Sequence, residues 1–418
     1  MIGMALTFAF YAACTPADRS TRRQSGDTTF VYSAAPQRDT ATLREVLRIG
    51  TAEGDPNDMF SGISAFSVAS NGQVYVAEFE GNLRQFDSTG QFVGEVARQG
   101  QGPGEVLYVI GLDVNAGGDV AALDLGNRRV SFFDSVGNSI GQLRLPDGRP
   151  AYGRDALRWD IDGDLWLGIN PVRAALEPDY DYDLRPIFGR IVAGGQVEDT
   201  VFLEATSDEC HRRDPVHARG MYEDFRIGFL PFYHWSRSPN GTVAVGCAAN
   251  YSFDLRYPDG RVLRVERAWQ PALMESDEQA HFLMYHDAAP RNRPAFLRVW
   301  LGEKGRIWAR PGTAGHPRSA TPAERSAGYP EEIWDAWVPT DGMDVFEPGG
   351  AWLGHVRTPP NWVARPFPGL ADPQFMGDTI WAVTTDELGV EYLSKFVVEW
   401  PGILELDPRG ADRAAESG

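Results

Sequence analysis

Two stretches of this chain repeat one pattern of short apolar runs separated by glycine turns. The first lies between Gly62 and Gly90, and the second between Gly111 and Gly137. Each contains an apolar run, a tight glycine turn, a second apolar run, a third run that combines Arg with aromatic residues, and an Asp-x-x-Gly turn into a fourth run. Short strands with turn residues at regular spacing are typical of all-β repeat folds. The pattern therefore predicts a four-stranded blade of a β-propeller.

Four further copies follow, with longer insertions between their strands. In the fifth copy, residues 333–338 and 343–346 come after the second strand as further strands. Six copies lie within the range known for β-propellers. The first tight turn of each successive copy is predicted at Gly72, Gly118, Gly163, Gly241, Gly305 and Gly377.

The two ends of the repeat array complement each other. The sixth copy ends with the strand at residues 392–399 and has no fourth strand, whereas the alternating segment 43–49 precedes the first copy without a partner. Closing a ring removes the open sheet edges of a linear array. We therefore predict an all-β, six-bladed β-propeller over residues 43–406, closed by its N-terminal strand.

Two insertions carry the sequence signature of a helix start. Ser276 with Gln279, and Thr321 with Glu324, both fit capping boxes, and Pro322 occupies the first helical position of the second. We predict one short helix at each of these insertions.

The charge of the chain limits its partners. It has 418 residues, with 39 Lys and Arg against 58 Asp and Glu, which gives a formal net charge of -19 at pH 7. Such a charge repels nucleic acid backbones and anionic lipid. We therefore expect no nucleic acid partner, and contact with a membrane only through a lipid anchor.

The N-terminus suggests export. Residues 1–13 are apolar and end in Tyr-Ala-Ala before Cys14, which matches the length of a secretion signal with small residues before its cleavage site. This stretch resembles a bacterial lipobox, which implies that residues 1–14 are a lipoprotein signal and that Cys14 is lipidated. Thr15 after it implies the outer membrane, on its periplasmic side or at the cell surface. The alternative is a merely apolar N-terminus with a free Cys14.

The flanks of the predicted propeller are polar. Residues 15–42 are rich in Thr, Ser, Arg, Asp and Gln, and only residues 30–33 have the composition of a strand. We predict a flexible tether over 15–42 and a disordered tail over 407–418.

Two motifs connect the chain to known families. Residues 100–105, together with the pattern at 82–87, resemble NHL-type repeats, and residues 43–406 as a whole resemble bacterial six-bladed propeller lipoproteins whose function is not characterised. The resemblance implies the fold and export, and it brings no catalytic residue.

The residues that end the second strand of each blade are candidate site residues, because equivalent positions converge in a ring. In metal-dependent propeller lactonases and related lyases, carboxylates, Asn and His around the axial channel hold a cation that polarises the substrate. Glu78, Asp124 and Asp386 are therefore candidate ligands for a divalent cation such as Ca²⁺. The alternative is structural, since Asp and Asn commonly cap turns. The positions are Glu78, Asp124, Asn170, Asn250, Arg310 and Asp386.

Two cysteines follow the signal. An even number of cysteines in an exported protein favours a disulfide, which predicts a Cys210–Cys247 bond. The alternative is a metal site, although its spacing fits no recognised zinc pattern. Its ligands would be Glu209, Cys210, His211, His217 and His234.

These features favour a binding or scaffolding module for a protein, peptide or glycan of the cell envelope. The sequence contains no nucleotide, flavin or haem motif. The alternative function is a metal-dependent hydrolase or lyase, similar to a lactonase, with a divalent cation in the axial channel.

Overall fold

The computed structural model describes residues 20–145, 149–150, 156–170, 187–191, 197–202, 233–283, 291–313, 315–318, 336–339, 342–363 and 371–401. These residues form a six-bladed β-propeller, as predicted. The N-terminal part contains β1 (Ser20–Ser25), β2 (Thr28–Ser33), β3 (Thr42–Ile49) and a 3-10 turn (Pro56–Asp58).

The first three blades follow in chain order. Blade 1 consists of β4 (Ile63–Val68), β5 (Val74–Glu78), β6 (Leu83–Phe86) and β7 (Phe92–Ala97). Blade 2 consists of β8 (Val109–Val114), β9 (Val120–Asp124), β10 (Arg129–Phe133) and β11 (Ser139–Arg144). Blade 3 contains β12 (Arg149–Pro150), β13 (Leu157–Trp159), β14 (Leu165–Asn170), β15 (Ile187–Ile191) and β16 (Val197–Phe202).

The remaining blades carry the insertions. Blade 4 contains β17 (Tyr233–Arg237), β18 (Val243–Cys247), β19 (Ser252–Arg256) and β20 (Val262–Arg267), and α1 (Ser276–Leu283) follows it. Blade 5 contains β21 (Phe296–Leu301), β22 (Ile307–Pro311), β25 (Met343–Phe346) and β26 (Trp352–Val356), while β23 (Gly315–Arg318) and β24 (Ala336–Pro339) form a separate hairpin. Blade 6 contains β27 (Gln374–Met376), β28 (Thr379–Thr385), β29 (Glu391–Glu399) and β3.

The turn glycines confirm the repeat. At Gly72, φ is 87°, and a Cβ would lie 2.8 Å from the Cβ of Ser88, so the turn requires glycine for both reasons. All six predicted first-turn glycines have a positive φ, between 70° and 90°: Gly72, Gly118, Gly163, Gly241, Gly305 and Gly377.

Burial falls from the axis to the rim in blades 1 and 2. Every residue of β4 and β5 is buried, because the first strands of a blade are covered on both faces by the neighbouring blades. The outer strand β11 is almost entirely exposed. The apolar core is accordingly divided among the interfaces between neighbouring blades, and each interface has its own cluster of buried side chains in the described residues.

The N-terminal strand closes the ring, as predicted. β3 pairs antiparallel with β29 and is the fourth strand of blade 6. Ile49, which lies opposite Leu393, is 1% exposed and packs with Phe60, Ile63 and Trp381 between blades 6 and 1.

Residues 20–49 form a belt around the outside of blades 4, 5 and 6, which we call the N-terminal belt. β2 adds in parallel to β20, so that β1 and β2 extend blade 4 to six strands. The next segment runs along β26 of blade 5, where the Arg38 N–H donates to the Leu353 carbonyl at 2.7 Å and the Ala41 N–H donates to the His355 carbonyl at 2.8 Å. The belt therefore covers the outer edges of three consecutive blades.

The belt corrects the prediction of a flexible tether over residues 15–42. The predicted strand at 30–33 lies within β2, but order extends over 20–33 and along blade 5. Val31 is 1% exposed in the core between blades 4 and 5, and the Ser33 hydroxyl accepts the Trp352 N–H at 2.9 Å. One apolar anchor and main-chain hydrogen bonds to distant strands order a segment that is otherwise polar.

The structure of the insertions agrees only in part with the predictions made from the sequence. The helix predicted at Ser276 is α1, whose buried Glu278 pairs with the buried Arg293. The helix predicted at Thr321 lies outside the described residues. Residues 336–339, expected as a strand of the fifth copy, pair instead with 315–318, and the third strand of blade 5 is β25. In the part of the chain that the structure describes, no helix is long and apolar enough to cross a bilayer.

Ring closure through β3 predicts an unequal response to two substitutions in that strand. We expect Ile49→Ala to lower the free energy of unfolding by about 2–5 kcal/mol, because it leaves a cavity between blades 6 and 1. Val46→Ala, at a side chain that is 41% exposed on the same strand, is the matched control and should cost under about 1 kcal/mol. Denaturant titration measures both values, and equal losses would contradict a closing role for β3.

Candidate functional site

The carboxylates of Glu78 and Asp124 occupy the same position in blades 1 and 2. Each is the last residue of the second strand, and each is fully buried. Because successive strands of a blade run in opposite directions, this position lies at the end where the chain enters the first strand. We call it the entry end of the propeller.

Glu78 holds the segment that leads into blade 1. Its Oε1 accepts the Ser61 N–H at 2.7 Å and the Ser61 hydroxyl at 3.0 Å, and its Oε2 lies 2.8 Å from Arg84 Nη2. Arg84 also donates to the Met59 carbonyl at 2.6 Å. Burial raises the pKa of Glu78, against the opposing effects of Arg84 and Ser61. The carboxylate is thus a packing and hydrogen-bonding element of its own blade.

Asp124 likewise holds the segment that leads into blade 2. Its carboxylate accepts the Leu107 N–H at 3.3 Å, the Tyr108 N–H at 3.1 Å and the Asn127 side-chain amide at 2.6 Å. The neighbouring Arg129 donates to three carbonyls of the segment between blades 1 and 2, those of Gln101, Gly102 and Glu105. Residues 100–105 are therefore part of a connector that Arg129 holds, and Asp124 holds the end of the same connector at Leu107 and Tyr108.

We call these two arrangements connector clamps. Each consists of the acid that ends the second strand and an Arg of the third strand, and each holds the backbone entering that blade. The members are Glu78 with Arg84 and Asp124 with Arg129. The clamps agree with the alternative in which these acids have a structural role and do not bind a metal ion.

Asp386 lies in the turn between β28 and β29, in blade 6. Its Oδ1 accepts the Leu388 and Val390 N–H groups, both at 2.9 Å, and its Oδ2 accepts the Tyr392 hydroxyl at 2.8 Å. Desolvation tends to raise the pKa of Asp386, but the hydrogen bonds from Tyr392 and the turn amides outweigh it, so that the pKa is lowered. Asp386 caps its turn.

The three predicted acids therefore each belong to a local network. Across the described ranges, no group of three or more His, Cys, Asp or Glu side chains is arranged to hold a metal ion. Asn170 ends β14, and Asn250 lies in the turn before β19. Cys247 is disulfide-bonded, whereas Cys14 and Cys210 lie outside the described residues, so the Cys210–Cys247 pairing stays a prediction.

The first strands of the blades are joined side by side around the axis. Asp113 of blade 2 accepts the Trp159 N–H of blade 3 at 2.8 Å, and Ser236 of blade 4 accepts the Leu301 N–H of blade 5 at 3.0 Å. Gln374 of blade 6 bonds both main-chain groups of Val68 in blade 1. These bridges align neighbouring blades at the axis.

One small cavity among the described residues is lined by side chains of blades 3 to 6, including Arg158, Ser236, Glu303 and Phe375. It has room for about one water molecule. This cavity therefore does not account for a larger ligand.

Two arginines face each other at the entry end between blades 5 and 6. Arg298 of β21 and Arg310 of β22 are partners in the antiparallel register, so their side chains share one face of the sheet. Arg298 Nη2 lies 2.9 Å from Asp372 Oδ2, which comes just before β27. Like charges directly opposite each other are unfavourable, and Asp372 offsets part of this cost. We call Arg298 and Arg310 the axial arginine pair.

Burial lowers the pKa values of two basic side chains at this end. It lowers the pKa of Arg310 to about 10, against the effect of Asp372, so Arg310 remains a cation at neutral pH. His234 of β17 packs 5.5 Å from the Phe296 ring, and burial, with a smaller effect of Arg298, lowers its pKa to about 3. His234 is therefore neutral at pH 7. These four groups, two Arg, one Asp and one neutral His, carry a formal charge of +1 in a chain of net charge -19.

Arg298 and Asp372 are site residues that the sequence reading missed. Arg310 was among the residues that end second strands, and His234 was considered only for a metal site. The available signal was Arg298 itself, a charged residue inside the apolar run of a first strand. A charge at such a position needs a partner or a function.

Comparisons with known proteins support the fold. The chain is similar to a member of the DUF4221 family from Bacteroides vulgatus, with 10% identity over 87% of this chain and 99% of that chain and a TM-score of 0.56. A protein of Bacteroides fragilis described as exported has 11% identity, over 86% and 95% of the two chains, and a TM-score of 0.47. Virginiamycin B lyase from Staphylococcus aureus has 12% identity, over 85% and 98%, and a TM-score of 0.42.

The similarity to the Bacteroides vulgatus protein supports the propeller fold, and at 10% identity it assigns no role to any residue. No protein-family model and no curated protein sequence matches the chain.

The connector clamp predicts a stability loss when its acid is removed. We expect Asp124→Ala to lower the free energy of unfolding by about 1–3 kcal/mol, because it leaves partly buried backbone N–H groups without their acceptor. Asp162→Ala, at an exposed residue in the first turn of blade 3, is the control and should cost under about 1 kcal/mol. Denaturant titration in buffer with EDTA separates the two, and a loss at Asp124 that appears only in the presence of a metal would contradict the clamp.

The neutral His234 predicts a pH dependence. Below about pH 6.5 the unfolded chain binds a proton at this residue that the folded chain does not bind until about pH 3, so the free energy of unfolding falls as the pH is lowered through this window. Relative to His234→Gln, we expect the wild-type protein to lose on the order of 2 kcal/mol more between pH 7.5 and 4.5. Parallel curves of unfolding free energy against pH for the two proteins would contradict a neutral imidazole at this position.

Proposed function

We propose that this chain is an exported, lipid-anchored binding module of a bacterial envelope, and that the axial arginine pair binds a carboxylate of its peptide or glycan ligand. The apolar N-terminus before Cys14 supports export and lipid attachment. The disulfide at Cys247 supports an oxidising compartment.

The observation that carries the proposal is the charge at the entry end of the axis. Arg298 and Arg310 are opposite each other in the strand register there, and Asp372 accepts a hydrogen bond from Arg298. Arg298 Nε is buried and has no hydrogen-bond partner among the described residues. A guanidinium presents its N–H groups as a planar fork that matches a carboxylate, and partial burial strengthens such a contact relative to water.

The geometry supports binding more than metal-dependent catalysis. The hydrolase or lyase alternative depends on Glu78, Asp124 and Asp386 as ligands or bases. Glu78 and Asp124 act in the connector clamps, and Asp386 caps a turn. A scaffold role remains compatible with the ligand site, because a bound carboxylate can belong to a larger envelope partner.

A titration with small acidic probes tests the ligand class. The probes are triglutamate and trigalacturonate, with triglutamine and trigalactose as their neutral counterparts, measured by calorimetry on the chain from residue 15 onward. We expect one acidic probe to bind, its neutral counterpart not to bind, and added salt to weaken the affinity. The two acidic probes distinguish a peptide from a glycan ligand.

Matched arginine variants locate the site. Arg298→Gln should weaken binding of the acidic probe by about 10–100-fold. Arg306→Gln, on the same blade at the opposite end of the strands, should leave the affinity unchanged. Arg298→Lys keeps the charge but loses the planar fork of N–H groups, so its affinity for the acidic probe should lie between those of the wild-type protein and Arg298→Gln. Equal affinity for acidic and neutral probes, or no effect of Arg298→Gln in a folded protein, would contradict the proposal.

Metal analysis tests the catalytic alternative. A stoichiometric metal whose removal by EDTA lowers the melting temperature would favour that alternative.

A further inference from the structure

The start of the N-terminal belt lies very close to the proposed lipid anchor. β1 begins at Ser20, so only residues 15–19 separate Cys14 from the folded protein. A fully extended chain advances at most about 3.5 Å per residue, which limits the distance from the anchor to β1 to roughly 20 Å. The propeller therefore cannot move far from, or turn freely about, a lipid attached at Cys14.

β1 is firmly placed on one side of the ring. It pairs with β2 along its whole length, from Ser20 opposite Ser33 to Ser25 opposite Thr28, and β2 pairs with β20 of blade 4. Arg22 Nη2 also donates to the Gly349 carbonyl of blade 5 at 2.8 Å. The hairpin of β1 and β2 thus fixes which part of the ring lies next to the anchor.

We propose that the outer edge of blade 4, formed by the β1–β2 hairpin, is the surface that faces the bilayer holding the Cys14 lipid. This inference rests on the lipid anchor of the proposed function. Ser20 lies opposite Ser33, at the end of β2 that runs alongside the end of β20, so the attachment point is at the entry end of this edge. Blade 1, on the opposite side of a six-bladed ring, is then farthest from the membrane.

The exposed side chains of the hairpin suit a bilayer surface. Tyr32 is 42% exposed, and its cross-strand partner is Thr21. Arg23 lies two residues after Thr21, on the same face of the hairpin, and is also exposed. Tyr and Arg combine an apolar body with a polar tip and are suited to the headgroup region. The hairpin contains Arg22 and Arg23 against one acid, Asp27, whereas the whole chain is strongly acidic. This edge is therefore repelled by anionic headgroups less than the chain as a whole.

Cross-linking to lipid tests the orientation. The full chain is purified from the membrane fraction and reconstituted in vesicles of phosphatidylethanolamine and phosphatidylglycerol that carry a headgroup photo-cross-linker, and the cross-linked peptides are mapped by mass spectrometry. We expect several-fold more cross-links in β1 and β2 than in β7 of blade 1. Cross-links concentrated on β7 or β11, or none in residues 20–33, would overturn the orientation.

Two variants separate this inference from the anchor on which it rests. Cys14→Ser should leave the chain out of the membrane fraction; if it stays membrane-bound, the lipid anchor itself is wrong. Combining Arg23→Glu with Tyr32→Ser should reduce hairpin cross-links several-fold without releasing the chain. The same changes at Arg98 and Val93 of blade 1 are the control and should have no effect, and equal effects of the two pairs would overturn the role of the hairpin surface.

Discussion

The pairing of β3 with β29 is the contact on which the rest of the structure depends. Seven residue pairs join the first strand of the ring to its last blade. Each blade is covered on both faces by its neighbours, and the apolar clusters lie between blades. Without this pairing, β29 would be an unpaired edge, and the apolar cluster between blades 6 and 1 would lose Ile49. Ring closure therefore stabilises the propeller and also fixes the positions of the residues at its entry end.

The N-terminal belt extends this role from one blade to three. Its main chain pairs with β20, then with β26, and then with β29, so a single segment covers the rims of consecutive blades. The belt thereby connects the blade next to the proposed anchor with the blade that carries the proposed ligand site. β2 pairs with blade 4, and Arg298 and Arg310 belong to blade 5, next to it.

The sequence was sufficient for local features and insufficient for long-range ones. The turn at Gly72 and its five equivalents could be predicted because each turn requires a backbone conformation that favours glycine. The belt could not, because the partner of Thr28 is Val262, more than two hundred positions later, and only residues 30–33 of that polar segment have the composition of a strand. Glu78 and Asp124 were recognised as important, but their partners come from connectors whose path a sequence does not reveal. Arg298 was missed because its register partner and Asp372 become neighbours only in the folded ring.

The most direct test of this account is native-state hydrogen exchange of the amides that join β3 to β29. If β3 closes the ring, those amides should exchange only through global unfolding, with the same free energy as the buried amides of β5 and β9. Exchange of the β3 amides at a much lower free energy, while β5 and β9 stay protected, would show that the ring is stable without its N-terminal strand and would contradict the central claim.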